Sequence, residues 1–301
     1  MTIKSTPDSP TTAGRDVPHD AGADSAGTHG ADAHSAGTHE AGTALVSRLG
    51  AEHVKLAYGD RVVSDDLTVH IPPGSFTVII GPNACGKSTL LRGLSRLLKP
   101  RGGEVVLDGK AISTYRTKEV ARIVGLLPQS STAPEGITVA DLVARGRYPH
   151  QGLIRQWSHD DEMAVNDAME VTGVSDLRNA PVDQLSGGQR QRVWTAMALA
   201  QQTPILLLDE PTTYLDISHQ YSLLNLFATL NRQGTTIVAV LHDLNQAARY
   251  ATHLIAMKQG RIVAEGTPRE VVTEQTMREV FDVDALVMDD PITGTPMVVP
   301  R

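Results

Sequence analysis

Several groups of residues in this sequence have the types and spacing that phosphate chemistry requires. Gly81-Pro82-Asn83-Ala84-Cys85-Gly86-Lys87-Ser88 has the spacing of a phosphate-binding loop. Its glycines let backbone N–H groups curl around phosphate oxygens, and a helix starting there adds partial positive charge. Lys87 is placed to reach the β- and γ-phosphates of a nucleoside triphosphate, Ser88 to ligate Mg²⁺, and Thr89 to donate to the α-phosphate. Asp209 and Glu210 close an apolar run, so Asp209 suits the Mg²⁺ sphere and Glu210 suits a general base acting on water. An acidic pair also starts many ordinary turns, but here it comes after a phosphate loop. His242 comes directly after a second apolar run, where an imidazole can hydrogen-bond the γ-phosphate and hold water in line with Glu210. Gln129 comes after a third such run, and its amide is suited to touching Mg²⁺ or the water.

These residues need elements to hold them. Residues 62–71 alternate apolar and polar, as a half-exposed strand does, and Pro72-Pro73-Gly74 then turns the chain. Residues 76–80 are continuously apolar, which predicts a strand buried on both faces of a parallel sheet. A helix is predicted over 87–98, with further strands over 103–107, 123–127, 205–208, 236–241 and 254–257. Helices are predicted over 189–200, 217–231 and 245–250, and the alternation argues for a mainly parallel α/β sheet. Residues from about 130 to 185 read as a helical insertion, with helices over 139–144 and 160–172. The amino-terminal strands and residues 285–300 are expected to form an antiparallel flank.

Composition narrows the function. Residues 1–45 are Ala, Gly, Thr, Ser, His and Asp with almost nothing apolar, which predicts a disordered tail ahead of one domain over 46–301. SAGTH occurs twice in that tail, but His19, His29, His34 and His39 have no spacing that builds a metal site, and a solvated tail is the expectation. A net charge of −7 argues against a nucleic-acid partner. The lone cysteine, Cys85, excludes an internal disulfide and fits a reducing compartment. The amino terminus has no secretory signal and no apolar run spans a bilayer, so work at a membrane would depend on other chains, from the cytoplasmic side.

The run Leu185-Ser186-Gly187-Gly188-Gln189-Arg190, lying between the phosphate loop and the acidic strand, makes the sequence resemble the nucleotide-binding subunits of ABC transporters over residues 48–300. The resemblance implies a P-loop ATPase fold with an antiparallel β flank, and ATP with Mg²⁺ as cofactors. It implies a head-to-tail dimer in which Ser186, Gly187, Gly188 and Gln189 complete the site of the second copy. Leu215-Asp216 resembles the loop that communicates between paired sites, and Tyr58, placed just before the first strands, resembles the aromatic that stacks on adenine. The resemblance further implies transmembrane permease subunits as partners and, indirectly, an extracytoplasmic substrate-binding protein. Within the family, residues 137–152, 210–220 and 289–300 resemble importers of iron–siderophore complexes, with vitamin B12 and haem importers as the alternative cargo branch. Arg147 and Tyr148 are expected to grip a permease helix, although the same stretch also reads as a solvated loop.

Rival readings are a soluble ABC-type ATPase in DNA repair or translation, a P-loop kinase, and a subunit that binds ATP without cleaving it. The absence of basic arms and of a second cassette opposes the first, LSGGQR the second, and the presence of both Glu210 and His242 the third. Ala84 stands where glycine is common; alanine is tolerated there unless the backbone needs positive φ, so little effect on nucleotide binding is expected. Cys85 is expected to be simply a small side chain that fits; the alternative is a redox switch, since a thiol beside a helix start and Lys87 would favour thiolate.

Overall fold

A computed structural model describes residues 47–129, 132–152 and 157–301. The expected tail over 1–45 lies outside them. β1 (Leu49–Tyr58) and β2 (Arg61–Ile71) form a long hairpin, β3 (Phe76–Ile80) leads through the phosphate loop into α1 (Lys87–Leu94), and β4 (Gly102–Leu107) and β5 (Lys110–Ala111) come next. α2 (Thr117–Ile123) runs straight into β6 (Val124–Leu127). Beyond it lie α3 (Val139–Ala144), a 3₁₀ turn over Arg145–His150, α4 (His159–Val171) and α5 (Gly187–Ala200). The chain then alternates through β7 (Ile205–Asp209), α6 (Ile217–Arg232), β8 (Thr236–Val240), α7 (Leu244–Tyr250) and β9 (His253–Lys258). It ends with β10 (Arg261–Gly266), α8 (Pro268–Val271), α9 (Glu274–Phe281), β11 (Ala285–Asp289) and β12 (Pro296–Pro300).

The central sheet has the order β10-β9-β3-β8-β7-β6, parallel except for the edge strand β10. Every residue of β3, β7 and β8 is buried, as expected for parallel strands covered on both faces. Alternate residues split between two cores. Ile79, Leu207 and Val240 face Leu90 and Leu94 of α1 and the inner residues Leu49 and Leu56 of an antiparallel sheet, order β2-β1-β4-β5. Val78, Leu206 and Ala239 face Leu224 and Phe227 of α6 and Met277 of α9. A third core joins α3, α4 and α5 through Leu142, Val143, Met169, Val193 and Ala196.

The differences from expectation are local. α1 stops at Leu94 rather than residue 98, because Arg96 turns left-handed at φ 64° and the N–H groups of Arg96 and Leu98 close back on Gly93 and Arg92. No glycine or proline marks that stop. Residue 123 ends α2 instead of opening β6, and Tyr58 ends β1 rather than preceding the strands. Residues 285–300 do not join the amino-terminal flank. They form a separate hairpin fastened to α7, where the Asn245 side chain accepts from the Val298 N–H (2.8 Å) and donates to its carbonyl (3.4 Å).

Arg147 is not a surface contact. It is only 5% exposed, and its guanidinium donates to Asp161 Oδ1 (2.9 Å), to the Ala200 carbonyl (2.8 Å) and to Gln202 Oε1 (2.9 Å). Asp161 also makes a capping box with Ser158 at the start of α4. Burial pushes the Asp161 carboxyl upward, but the bonds from Arg147 and Ser158 outweigh it and hold it below the usual carboxylate range. Tyr148, by contrast, is exposed, with the Lys118 ammonium 4.4 Å from its ring centre.

The phosphate loop also departs from expectation. Ala84 sits at φ 60°, the left-handed backbone under which alanine ceases to be neutral, so the expectation of little effect loses its basis. In a urea titration Arg147→Ala should lower stability by about 3 kcal/mol or more, because it strands a buried carboxylate, while Tyr148→Ala should be near neutral. Ala84→Gly should raise stability by about 1 kcal/mol in that assay.

Candidate functional site

The carboxyl ends of β3, β7 and β8 lie side by side in the sheet and deliver the phosphate loop, Asp209-Glu210 and His242 to one edge. This is where open parallel sheets present groups to ligands. The loop's form depends on Gly81 at φ 149°, since a Cβ there would stand 2.2 Å from the Met257 carbonyl oxygen and 2.8 Å from Cys85 Sγ. Pro82 is next, and its carbonyl with that of Gly81 accepts from Lys87 Nζ, at 2.9 and 2.8 Å. The ammonium is thereby held against the loop, 5% exposed.

Ser88 Oγ donates to Asp209 Oδ1 at 2.8 Å. Burial raises the Asp209 carboxyl above the usual range against that hydrogen bond, and the neighbouring Glu210 charge pushes the same way. Glu210 has a left-handed backbone, φ 54°, and its Oε1 lies 2.7 Å from His242 Nε2. Thr213 Oγ1 donates to the other carboxylate oxygen at 3.3 Å. A cavity of about 470 Å³ is lined by residues 83–89 together with Tyr58, Gln129, Glu210 and His242. Tyr58 is 41% exposed, and its hydroxyl accepts from Arg92 at 3.2 Å.

Arg61 and Val63 of β2 line the same cavity, and sequence reasoning missed them. Their alternation along a half-exposed strand next to Tyr58 was the available signal. Cys85 is buried. Burial pushes its thiol up in spite of Lys87, and its side chain packs into the core beneath the loop. The thiol form is therefore favoured, which removes the premise of a redox switch and leaves a small side chain that fits.

Ser186 to Gln189 stand apart from this cavity. Ser186 caps α5, accepting from the Gln189 N–H (3.2 Å) while the Gln189 side chain accepts from the Ser186 N–H (3.0 Å). With Gly187 and Gly188 they line a second cavity that shares no residue with the first and includes Leu215 and Asp216. Within one chain, then, the residues predicted to touch nucleotide fall into two separate surfaces.

The ABC transporter family profile matches residues 64–213. The ferric enterobactin transport ATP-binding protein FepC of Escherichia coli K12 is 58% identical over 259 residues, covering 86% of this chain and 96% of the relative. The iron(3+)-hydroxamate import ATP-binding protein FhuC of Bacillus subtilis 168 is 47% identical, covering 84% and 94%. Among solved structures, the dimeric structure of a bacterial ABC transporter cassette superposes with a TM-score of 0.66 at 28% identity, covering 73% of this chain and 98% of that one. With a phosphate loop, an acidic strand and a histidine assembled at one sheet edge, and with relatives this similar over nearly their whole length, the chain belongs to the ATP-binding subunits of the ABC transporters, whose activity is ATP hydrolysis.

Proposed function

We propose that this chain is the ATP-hydrolysing subunit of an importer for iron–siderophore complexes. The observation that carries the hydrolytic part is the Glu210–His242 pair, 2.7 Å apart in one cavity with Lys87 and Ser88. Residues 46–301 form its ABC ATPase domain, with the helical insertion at about 130–185. Lys87 and the N–H groups at the start of α1 orient the triphosphate. Glu210 accepts a proton from water as the water oxygen bonds to the γ-phosphorus and the bridging bond to ADP breaks. His242 holds Glu210 and the γ-phosphate in register, and Gln129 senses the same phosphate from the end of β6. Tyr58 stacks on adenine.

Ser88 and Asp209 fit Mg²⁺. They are hard oxygen donors already in contact, and burial makes the Asp209 carboxylate gain from a cation. No cluster of three His, Cys, Asp or Glu side chains able to hold a metal occurs among the described residues. That suits an ion bound by one or two protein oxygens and the substrate's phosphates, with Gln129 nearby. When bound, Mg²⁺ neutralises charge on the β- and γ-oxygens.

The separation of the two cavities supports a head-to-tail pair, in which Ser186 to Gln189 of each copy close on the nucleotide of the other. The dimeric cassette at 28% identity supports pairing as well. No described helix is long and apolar enough to cross a membrane. Separate permease subunits would hold the pair at the cytoplasmic face, with an extracytoplasmic substrate-binding protein delivering cargo and no nucleic acid involved. The names of the relatives, for ferric enterobactin and iron(3+)-hydroxamate, support iron–siderophore cargo over vitamin B12 or haem.

Glu210→Gln should lower the turnover number by at least about a hundredfold and leave an ATP-bound dimer in sedimentation experiments. A protein that stays monomeric in saturating ATP and Mg²⁺ would count against the shared site. A strain lacking this chain should lose uptake of a radiolabelled ferric siderophore while retaining cobalamin and haem uptake; the reverse pattern would move the assignment to the alternative cargo.

A further inference from the structure

Gln191 lies on α5 and is only 8% exposed. It lines neither cavity, unlike Gly188 and Gln189 before it and Arg192 after it. Burying a long amide is costly unless hydrogen bonds satisfy it. Its Nε2 donates to the Pro211 carbonyl at 3.1 Å. Pro211 is buried and follows Glu210 directly. Residues 210–213 form a turn, closed by the Thr213 N–H on the Glu210 carbonyl at 3.3 Å, with proline in its second position. That bond leaves the Pro211 carbonyl unused, and Gln191 supplies its partner. The proline ring already fixes φ, so a grip on the carbonyl fixes the other soft dihedral as well. The peptide from which Glu210 departs is thereby anchored to α5.

The Glu210 carboxylate itself is held less firmly. Thr213 Oγ1 reaches it at 3.3 Å, long for a hydroxyl donor, and 47% of the His242 side chain on its other oxygen is exposed. Glu210 has left-handed backbone at φ 54°, and an L-residue there gains by relaxing to the extended form favoured before proline. Such a relaxation would swing the carboxylate away from His242. We infer that Gln191 is a positioning residue for ATP hydrolysis. By holding the Pro211 carbonyl it keeps Glu210 in the backbone conformation that aims the carboxylate at His242 and the attacking water. The inference rests on Glu210 as the general base proposed above and not on the shared site, and it requires no contact between Gln191 and nucleotide.

The test is a double-mutant cycle on the full-length protein, comparing the parent with Q191M, E210A and E210A/Q191M. Methionine keeps the length of glutamine without a donor, and alanine leaves no carboxylate to aim. Turnover of radiolabelled ATP is measured in saturating Mg²⁺-ATP, at protein concentrations where the rate per subunit no longer rises. Q191M should lower turnover about tenfold when Glu210 is present and by less than about twofold in the E210A background. Affinity for a fluorescent ATP analogue should stay within about twofold throughout, which also shows that each protein is folded. If Q191M does not fold, Q191E, close to glutamine in volume but with a carboxylate facing the carbonyl, is read in the same cycle. Equal losses in both backgrounds, or no loss beside Glu210, would overturn the positioning role alone. An E210A protein that turns over as fast as the parent would overturn Glu210 as the base, and this inference with it.

Discussion

The site depends on how β7 ends. Five buried residues carry the chain through the sheet, and the last of them, Asp209, is 2% exposed. The next residue then enters left-handed backbone at Glu210, φ 54°, immediately before Pro211. Chirality disfavours that conformation, which costs on the order of 1–3 kcal/mol and persists only where the surroundings over-determine it. Here they do. His242 grips one carboxylate oxygen, Thr213 Oγ1 the other, and the Thr213 N–H bonds back to the Glu210 carbonyl at 3.3 Å. The turn directs two successive carboxylates to different partners, Asp209 to Ser88 and Glu210 to His242. A right-handed residue at 210 would send the carboxylate elsewhere.

Burial supplies the rest of the electrostatics. The strands that end at this edge are covered on both faces, so the charges they deliver stand on a low-dielectric base and interact strongly. That is why the Asp209 carboxyl is raised and why a hydroxyl donor and a cation both suit it. The same burial works against Cys85, whose thiol is driven up in spite of a nearby ammonium. Proximity to Lys87 along the chain suggested thiolate, but desolvation is the larger effect.

Much of the fold was legible because its strands are extreme. Continuous apolar runs such as FTVII and TIVAV admit few readings beside a parallel sheet buried on both faces, and the phosphate-loop spacing places a helix directly after the first of them. The features that escaped lie where no residue type announces a change. Arg96 stops α1 without glycine or proline, α2 passes into β6 with no turn between them, and Ala84 holds a left-handed position under an ordinary side chain. Arg147 was misread for a related reason. A charged residue in a polar stretch reads as surface, and only the tertiary meeting of Asp161, Ala200 and Gln202 makes it interior.

α5 connects the two cavities mechanically. Its 14 residues span about 21 Å at the α-helical rise. At its start Ser186 and the glycines line the second cavity; its end runs through Gln202 into β7, after which Glu210 lines the first. Between these points Gln191 Nε2 donates to the Pro211 carbonyl at 3.1 Å, tying the helix to the residue after Glu210. Arg147 fastens the far end by bonding the Ala200 carbonyl and Gln202 while reaching Asp161 of α4. The helix is thus fastened at its far end and tied at Gln191 to the turn after Glu210. The helix whose start lines the second cavity therefore also braces the Glu210–Pro211 turn, where the backbone sits in a disfavoured conformation.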